Sequence, residues 1–287
     1  MVVFTVLLDG VAYGMVLFII SVGLTVTMGL MRVVNLAHGC FAMIGGYVAA
    51  RAIAGGIPFA LAAVIAAAVT GALGGVAERL IFRPLYRKGE LAQALMTFGF
   101  TFVVIATLTA VFGTNIKTVP LPAGLSGLVN IGIADYPVYR LFLIAAGLVL
   151  AAALWWGIER SSFGARLRAA VDIPNMARAV GIDVGTLFLL TFAGGCALAG
   201  LGGVLGSGLM PIEPYYALRY LVLFLVVVGV GGIGSFRGSF VAAIVLGLID
   251  TVAKFTMPAA SEYVFYAAIL VLLLWRPHGL IPPRSAA

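Results

Sequence analysis

An uncharged apolar run extends from residue 185 to residue 209 and has the sequence Gly185-Thr-Leu-Phe-Leu-Leu-Thr-Phe-Ala-Gly-Gly-Cys-Ala-Leu-Ala-Gly-Leu-Gly-Gly-Val-Leu-Gly-Ser-Gly-Leu209. About 20 apolar residues in a helix cross a bilayer, because each residue adds about 1.5 Å along the axis. Inside lipid the backbone must satisfy its own hydrogen bonds, which a helix does. The run therefore predicts a membrane-spanning helix.

Further runs of the same kind lie on both sides of this one. The chain of 287 residues is 63% hydrophobic and 9% charged, with a mean hydropathy of +1.19. So few polar residues cannot cover a water-soluble core of this size. We therefore predict an all-α polytopic membrane helix bundle, one domain over 1–287, with eight or nine spans, some broken or re-entrant. The candidate spans lie near residues 5–29, 38–54, 59–81, 91–113, 138–157, 185–209, 217–233, 238–256 and 262–275.

Small residues recur at every fourth position on two of these spans. In lipid, such faces let helices approach closely and gain dispersion contacts. We favour packing within the bundle over a dimer interface. The residues are Ala67, Gly71 and Gly75 on the third span, and Gly195, Ala199 and Gly203, with Gly202 and Gly206, on the sixth.

Charged residues concentrate at 159–183, immediately before the opening run. Within this stretch, Asp172 is suited to the N-cap of a short helix, Pro174 to its first turn and Gly181 to the left-handed position after it. Apolar residues at helical spacing form a stripe along that helix: Ile173, Met176, Ala177 and Val180. We interpret the helix as a docking surface for another protein. The alternative is a helix lying on lipid headgroups, since the stretch also carries Arg160, Arg166, Arg168 and Arg178.

Basic residues are distributed unevenly between the loops, which predicts the orientation. They cluster at 79–88 and 160–178, whereas the connection 114–137 carries one lysine and one aspartate. Cytoplasmic loops are enriched in Lys and Arg, so we place both basic loops inside the cell and 114–137 outside. An odd number of spans then places the N-terminus outside and the C-terminus, with Arg276 and Arg284, inside.

Several functional classes find no support in the sequence. The net charge of +7 lies in membrane-flanking loops, so it does not indicate a nucleic-acid partner. There is no G-x-x-x-x-G-K-[ST] phosphate-binding loop, no nucleophile–base cluster, and no cluster of ligands that predicts a metal or cofactor. Cys40 and Cys196 are expected to be free, buried thiols. Asp250 is the only acidic residue well inside a span, which argues against an ion-coupled carrier, and its spacing from Lys254 predicts a local ion pair.

Two stretches, 28–39 and 228–238, interrupt an apolar run with glycine and polar residues. Their positions in opposite halves of the chain predict broken helices with internal pseudo-symmetry, whose unwound backbone lines a pathway. The candidate pathway residues are Asn35, His38, Gly39, Gly231, Gly232 and Ser235. Asn35 and His38 either offer hydrogen bonds to a passing solute or hold the shape of the broken helix, and both interpretations stay open.

The first of these stretches resembles a known family signature. The sequence Gly23-Leu-Thr-Val-Thr-Met-Gly-Leu-Met-Arg-Val-Val-Asn-Leu-Ala-His-Gly39, continued through Phe41-Ala-Met-Ile-Gly-Gly-Tyr47, is similar to that of the permease subunits of branched-chain amino acid ABC importers, the H-type inner-membrane subunit in particular. The resemblance covers nearly the whole chain. It includes residues 95–99, 163–170, 177–183, 228–238 and 276–280.

The resemblance implies a transport subunit of the bacterial inner membrane for branched-chain or related amino acids, with roughly eight to ten helices. It implies as partners a second related permease chain, two cytoplasmic ATPases and a periplasmic substrate-binding protein. This chain would then form half of the pathway and would not be an enzyme. It also makes 159–183 a cytoplasmic coupling loop, in which residues 172–181 dock on an ATPase.

Cys40 departs from the family pattern, because relatives often carry an acidic residue at the position after Ala-His-Gly. The departure leaves the solute open between branched-chain amino acids and the urea, short-chain amides or aromatic acids associated with related permeases. A self-sufficient channel or secondary carrier for urea, amides or small amino acids is the alternative from another class. It predicts solute flux from this chain alone.

Overall fold

The computed structural model describes residues 2–31, 33–130, 132 and 135–281, and this part of the chain is mostly helical. The helices are α1 (Val2–Leu30), α2 (His38–Ala54), α3 (Phe59–Ala77), α4 (Glu90–Phe112), α5 (Val138–Leu154), α6 (Ser162–Asp172), α7 (Pro174–Ala179), α8 (Val184–Gly206), α9 (Tyr216–Arg219), α10 (Leu221–Gly231), α11 (Phe236–Thr256) and α12 (Ser261–Trp275). Shorter elements are π-helical turns at Glu78–Phe82 and Trp155–Glu159, 3-10 turns at Arg83–Arg87 and Pro258–Ala260, and an antiparallel hairpin of β1 (Leu128–Asn130) and β2 (Asp135–Pro137).

Within the described residues, 7 helical stretches are long and apolar enough to cross a membrane. They are Val2–Gly29, Phe59–Tyr86, Glu90–Phe112, Val138–Glu159, Val184–Gly206, Phe236–Thr256 and Pro258–Trp275. Two other predicted spans form shorter helices, since α2 has 17 residues and the run 217–233 gives the short apolar helix Tyr216–Gly231. The predicted all-α polytopic bundle is confirmed. The two shorter helices among the predicted spans each lie next to one of the predicted interruptions.

Helix α1 lies at the centre of the bundle, where it contacts α5, α8, α10 and α11. Its middle turns are buried on every side, with Val16, Leu17 and Phe18 each 0% exposed. A helix that is apolar all round suits this position, because none of its faces has to meet water. Phe18 also makes edge-on ring contacts with Phe236 and Phe240 of α11, at centroid distances of 5.5 and 5.1 Å.

Helix α8, which contains most of the opening run, packs against α1, α2 and α3. A Cβ atom added to Gly203 would overlap the carbonyl oxygen of Ala42 on α2. A Cβ atom added to Gly71 of α3 would lie 3.2 Å from the side chain of Ala197 on α8. These contacts confirm that the small residues pack the bundle itself. Cys40 and Cys196 are buried free thiols, as predicted.

One end of the bundle brings together the start of α1 and the connection 114–137. The Tyr136 hydroxyl donates to Asp9 Oδ1 at 2.7 Å, and Arg140 forms an ion pair with the same carboxylate. Burial, reinforced by that hydrogen bond to Asp9, raises the pKa of Tyr136, so its hydroxyl stays a donor. The start of α1 and the hairpin end of the connection 114–137 therefore share a side of the bundle. Their absolute orientation stays a prediction, and Arg284 lies outside the described residues.

Candidate functional site

The first break, of which residues 31 and 33–37 are described, lies between α1 and α2 and turns back into the bundle. His38, the first residue of α2, contacts the carbonyl oxygen of Ile20 through Nε2 at 2.9 Å. Because Ile20 lies well inside α1, α2 begins deep within the bundle instead of at its surface. Gly23 makes room for this approach, since a Cβ atom there would lie 2.8 Å from His38 Cε1. The first break is therefore re-entrant.

Asn35 and His38 are both buried, and each makes a hydrogen bond that shapes the first break. Asn35 Oδ1 accepts from the N–H of Ala37 at 3.0 Å, just before α2 begins. Among the described residues, Asn35 Nδ2 and His38 Nδ1 are buried without a hydrogen-bond partner. The bonds made support a shape-holding role, and the unpaired atoms keep the predicted contact with a solute or water open.

Two side chains of α4 satisfy backbone groups that the first break leaves without helical partners. Gln93 Oε1 accepts from the N–H of Val34 at 3.0 Å, and Thr97 Oγ1 accepts from the N–H of Leu36 at 3.2 Å. Gln93 Nε2 also donates to the carbonyl oxygens of Leu85 and Lys88, each at 3.2 Å. Sequence reasoning missed these residues. The sequence did contain a signal, because polar residues recur at every fourth position of this apolar span, and the structure buries all three: Gln93, Thr97 and Thr101.

The second break, residues 232–235, lies between α10 and α11 and is built mainly from glycine. Gly232 and Gly234 have φ values of 101° and 85°, in the left-handed region where glycine has no Cβ penalty. Ser235 caps α11, because its side chain accepts from the N–H of Gly238 at 3.0 Å. A Cβ atom at Gly231 would lie 2.6 Å from the backbone nitrogen of Ser239, so α10 and α11 touch directly.

The end of α1 meets the second break. A Cβ atom on Gly29 would overlap the backbone of Gly234, and Thr25 Oγ1 lies 2.7 Å from Ser239 Oγ on α11. At the start of α2, a Cβ atom on Gly39 would lie 3.1 Å from the carbonyl oxygen of Ala217 on α9. The end of α1, just before the first break, therefore contacts the second break, whereas the start of α2 contacts α9. The predicted pathway residues divide between the two places: Asn35, His38 and Gly39 lie at the first break and the start of α2, and Gly231, Gly232 and Ser235 lie at the second break.

The closing segment 276–281 folds over the end of α10. The N–H of Leu280 donates to the carbonyl oxygen of Val230 at 2.7 Å, one of the groups that a helix end leaves free. Gly279 has a φ of 87°, and a Cβ atom there would overlap the backbone of Gly232. This contact gives the closing Arg276-Pro-His-Gly-Leu280 sequence a structural role at the second break.

In residues 159–183, which are predicted to be a coupling loop and keep that name below, the predicted capping role of Asp172 is wrong. Asp172 is the last residue of α6, and the N-cap of α7 is Ile173, which makes no side-chain cap hydrogen bond. The residue before a proline is disfavoured in the helical conformation, so Pro174 ends α6 at Asp172 and starts a new helix. Gly181 has a φ of 84°, in agreement with the left-handed position predicted for it.

The apolar stripe of α7 divides between the surface and the interior. Ile173, Met176 and Val180 are 59%, 62% and 71% exposed, whereas Ala177 is 4% exposed. Ala177 packs in a small apolar cluster with Ala170, Val184 and Leu187. Helix α7 is thereby anchored by one residue and presents the other three outward.

A groove of ≈ 1070 Å³ separates α7 from the end of α3. Asp183 on its wall caps α8, because its carboxylate accepts from the N–H and the hydroxyl of Thr186 at 3.1 and 2.5 Å. These hydrogen bonds hold the pKa of Asp183 below its usual value. The lining residues are Glu78, Arg79, Arg83, Pro84, Tyr86, Pro174, Arg178, Gly181, Ile182, Asp183, Val184, Gly185 and Phe188.

The coupling loop is also joined directly to α11. Arg237 Nη2 donates to Glu159 Oε2 at 2.7 Å, and Trp155 Nε1 donates to the same oxygen at 2.7 Å. The Trp155 ring lies close to two guanidinium groups, with its centroid 4.9 Å from that of Arg160 and 5.6 Å from that of Arg237. The sequence did not indicate this pairing, because the two ends of the ion pair lie 78 residues apart. Among the described residues, no cluster of three or more His, Cys, Asp or Glu could hold a metal ion.

Comparison with known proteins supports a transport assignment. Residues 6–274 match the model of a family described as "Branched-chain amino acid transport system / permease component". The chain is 26% identical over 291 residues to the high-affinity branched-chain amino acid transport system permease protein BraD of Pseudomonas aeruginosa, covering 96% of this chain and 94% of BraD. It is 26% identical over 289 residues to LivH of Escherichia coli K12, covering 95% and 93%. A probable LivH of Methanocaldococcus jannaschii is 25% identical over 292 residues, covering 96% and 90%.

Proposed function

Because the chain belongs to the branched-chain amino acid transport system permease family, we propose that it forms half of the translocation pathway of an ABC importer. The other half is a second, related permease chain. ATP is hydrolysed by two cytoplasmic ATPase subunits, and a periplasmic binding protein delivers the solute. The family match over residues 6–274 carries this proposal.

The exposed part of α7 supports docking on an ATPase. Met176 of α7 and the two residues that flank this helix, Ile173 and Val180, are exposed, whereas Ala177 of the same helix is buried. Burying one such side chain contributes about 1.5–3 kcal/mol, so the three provide a substantial part of an interface. The sequence contains no phosphate-binding loop of its own, so in the proposed importer the partner subunits hydrolyse the ATP.

The orientation proposed for this subunit places the coupling loop and the closing segment in the cytoplasm. The start of α1 and the connection 114–137 share the opposite side through the contacts of Asp9 with Tyr136 and Arg140. The basic residues cluster at the ends that carry α6 and α7, which favours the cytoplasm for that side. The N-terminus is then periplasmic.

The solute proposed is a branched-chain or related amino acid, as the names of the relatives indicate. The proposed pathway runs along the two breaks, with Asn35, His38 and Gly39 at the first and Gly231, Gly232 and Ser235 at the second. Asn35 Nδ2 and His38 Nδ1 are the polar atoms there that have no partner among the described residues. They are suited to hydrogen bonds with a passing solute or its water.

Copurification from native membranes in mild detergent, followed by mass spectrometry, tests the assembly. We expect two ATPases and a second permease to accompany the chain. Met176→Asp should remove the ATPases while leaving the chain in the membrane, because it places a charge in the docking surface. Asn175→Asp is the matched control, since it adds the same charge at the neighbouring exposed residue. A chain recovered alone that conducts solute in liposomes would favour the channel or carrier.

A further inference from the structure

We infer that Glu159 and Arg237 are positioning residues that transmit movement of the coupling loop to the second break. This role rests on the function proposed above. Arg237 donates to the Glu159 carboxylate through two nitrogens, Nε at 3.2 and 3.1 Å and Nη2 at 2.7 Å. Such a two-nitrogen contact fixes direction as well as distance, unlike a single hydrogen bond. We call this contact the clamp.

On the loop side, α6 is attached closely to the turn that carries Glu159. A Cβ atom on Gly164 would overlap the carbonyl oxygen of Ile158, so α6 lies directly against that backbone. Arg168 Nη1 donates to the same carbonyl oxygen at 3.0 Å. Ser161 caps α6 by accepting from the N–H of Gly164 at 3.2 Å. A displacement of α6 must therefore displace Glu159.

The helix proposed to dock on the ATPase is connected to α6 in turn. Ala177 of α7 and Ala170 of α6 belong to one buried cluster, together with Val184 and Leu187 of α8. Closely packed interiors transmit displacement instead of absorbing it. Force applied to the exposed face of α7 thus reaches Glu159 through buried contacts.

On the other side, Arg237 belongs to the first turn of α11, which directly follows the second break. A Cβ atom on Gly238 would overlap the carbonyl oxygen of Gly231, so this turn presses on the end of α10. Ser239, two residues after Arg237, lies 2.7 Å from Thr25 of α1 through their hydroxyl oxygens. A pull on Arg237 therefore acts on the second break and on α1 together.

The surroundings of the clamp favour positioning over stabilisation. The side chains of Arg237 and Glu159 are 47% and 27% exposed, and partly exposed ion pairs contribute little to stability. Trp155 nevertheless holds the clamp in place, with its N–H on Glu159 Oε2 and its ring beside the Arg237 guanidinium. This arrangement limits the directions in which the two charged groups can move.

The test uses the transporter purified with its ATPases and reconstituted in liposomes, with uptake and ATP hydrolysis measured together. We expect Glu159→Gln and Arg237→Gln each to lower the uptake per ATP hydrolysed by about two- to thirtyfold, the range typical of coupling networks. The double variant should be no worse than the worse single variant, because both changes break one contact. The apparent Tm should stay within a few degrees of the wild type.

Lys254→Gln is the matched control, because it removes another ion pair of α11, the 2.6 Å contact with Asp250, far from the loop. It should leave the uptake per ATP unchanged. If Arg237→Gln does not assemble, Arg237→Lys keeps the charge without the two-nitrogen geometry and should lower the same ratio. A wild-type ratio in assembled Arg237 variants, or additive losses in the double variant, would overturn the clamp and leave the importer intact. A wild-type chain without ATPases would instead overturn the proposed function.

Discussion

The two breaks interrupt neighbouring helices but are held by different groups. In the first break, Gln93 and Thr97 accept hydrogen bonds from the N–H groups of Val34 and Leu36. In the second, glycines adopt left-handed backbone angles and the N–H of Leu280 donates to the end of α10. The first break is thus held mainly by side chains of α4, and the second mainly by close backbone contacts at its glycines, with Ser235 as its side-chain cap.

This difference has an energetic consequence. A side-chain hydrogen bond can be removed singly, and an unpaired buried group costs about 1–3 kcal/mol. A contact between two glycines is steric, and any added side chain must displace a helix. The first break should therefore lose stability in steps, whereas the second should tolerate almost no change at its contact with α1. The following variants test this contrast in order of decreasing effect.

Gly29→Leu should have the largest effect, because even a Cβ atom at this residue overlaps the backbone of Gly234. We expect a loss of about 3 kcal/mol or more in the free energy of unfolding, and little assembled protein in membranes. The measurement is the amount of folded protein together with its apparent Tm in detergent. Gly229→Ala, at a glycine with nothing within 4 Å, is the control and should behave like the wild type. A wild-type apparent Tm for Gly29→Leu would show that α1 and the second break can move apart at little cost, which contradicts the expected steric effect.

Gln93→Leu should cost less, about 2 kcal/mol. The variant leaves the N–H of Val34 and the carbonyl oxygen of Lys88 without the side-chain partner, while the carbonyl oxygen of Leu85 keeps the N–H of Lys88. We expect a folded protein with a lowered apparent Tm and reduced uptake. Thr107→Val is the control, because it removes an exposed hydroxyl of the same helix. It should leave the apparent Tm and the uptake unchanged. Equal Tm values for the two variants would mean that α4 does not hold the first break.

Ser235→Ala tests the one side-chain cap of the second break and should cost about 1 kcal/mol. It removes the acceptor for the N–H of Gly238 without disturbing the glycine contacts. Ser235→Asn keeps an acceptor at the same position and should recover most of the apparent Tm. A larger loss than that of Gln93→Leu would reverse the contrast between the breaks.

We expect the smallest change in stability from replacing the cap at the start of α8, and this change should depend on pH. The Asp183 carboxylate caps this helix, and hydrogen bonds from Thr186 lower its pKa. Because the pKa of Asp183 is lower in the folded than in the unfolded protein, its carboxylate cap stabilises the fold above about pH 4. This stabilisation is lost as the pH falls through the folded pKa. The difference in apparent Tm between the wild type and Asp183→Asn should therefore become smaller as the pH is lowered. A constant difference at all pH values would exclude this titration.

Sequence reasoning located the interruptions but not the groups that hold them. Glycine and proline restrict the backbone locally, so Pro174 and Gly181 were predicted at the positions they occupy. Asp172 was placed wrongly because the competing helix α6 ends at the same residue. The residue type suited to a cap was visible, whereas the extent of the preceding helix was not.

The sequence by itself determined that this chain is a membrane-embedded helix bundle with interrupted spans, because the hydropathy of consecutive residues sets where a helix can cross a bilayer and glycine loosens the backbone at its own position. Only the tertiary structure decided that Gln93 supports the first break and that Glu159 meets Arg237, across 59 and 78 residues of chain. Such pairs depend on how helices are arranged around α1. That arrangement results from many weak packing contacts acting together, and no local pattern encodes it.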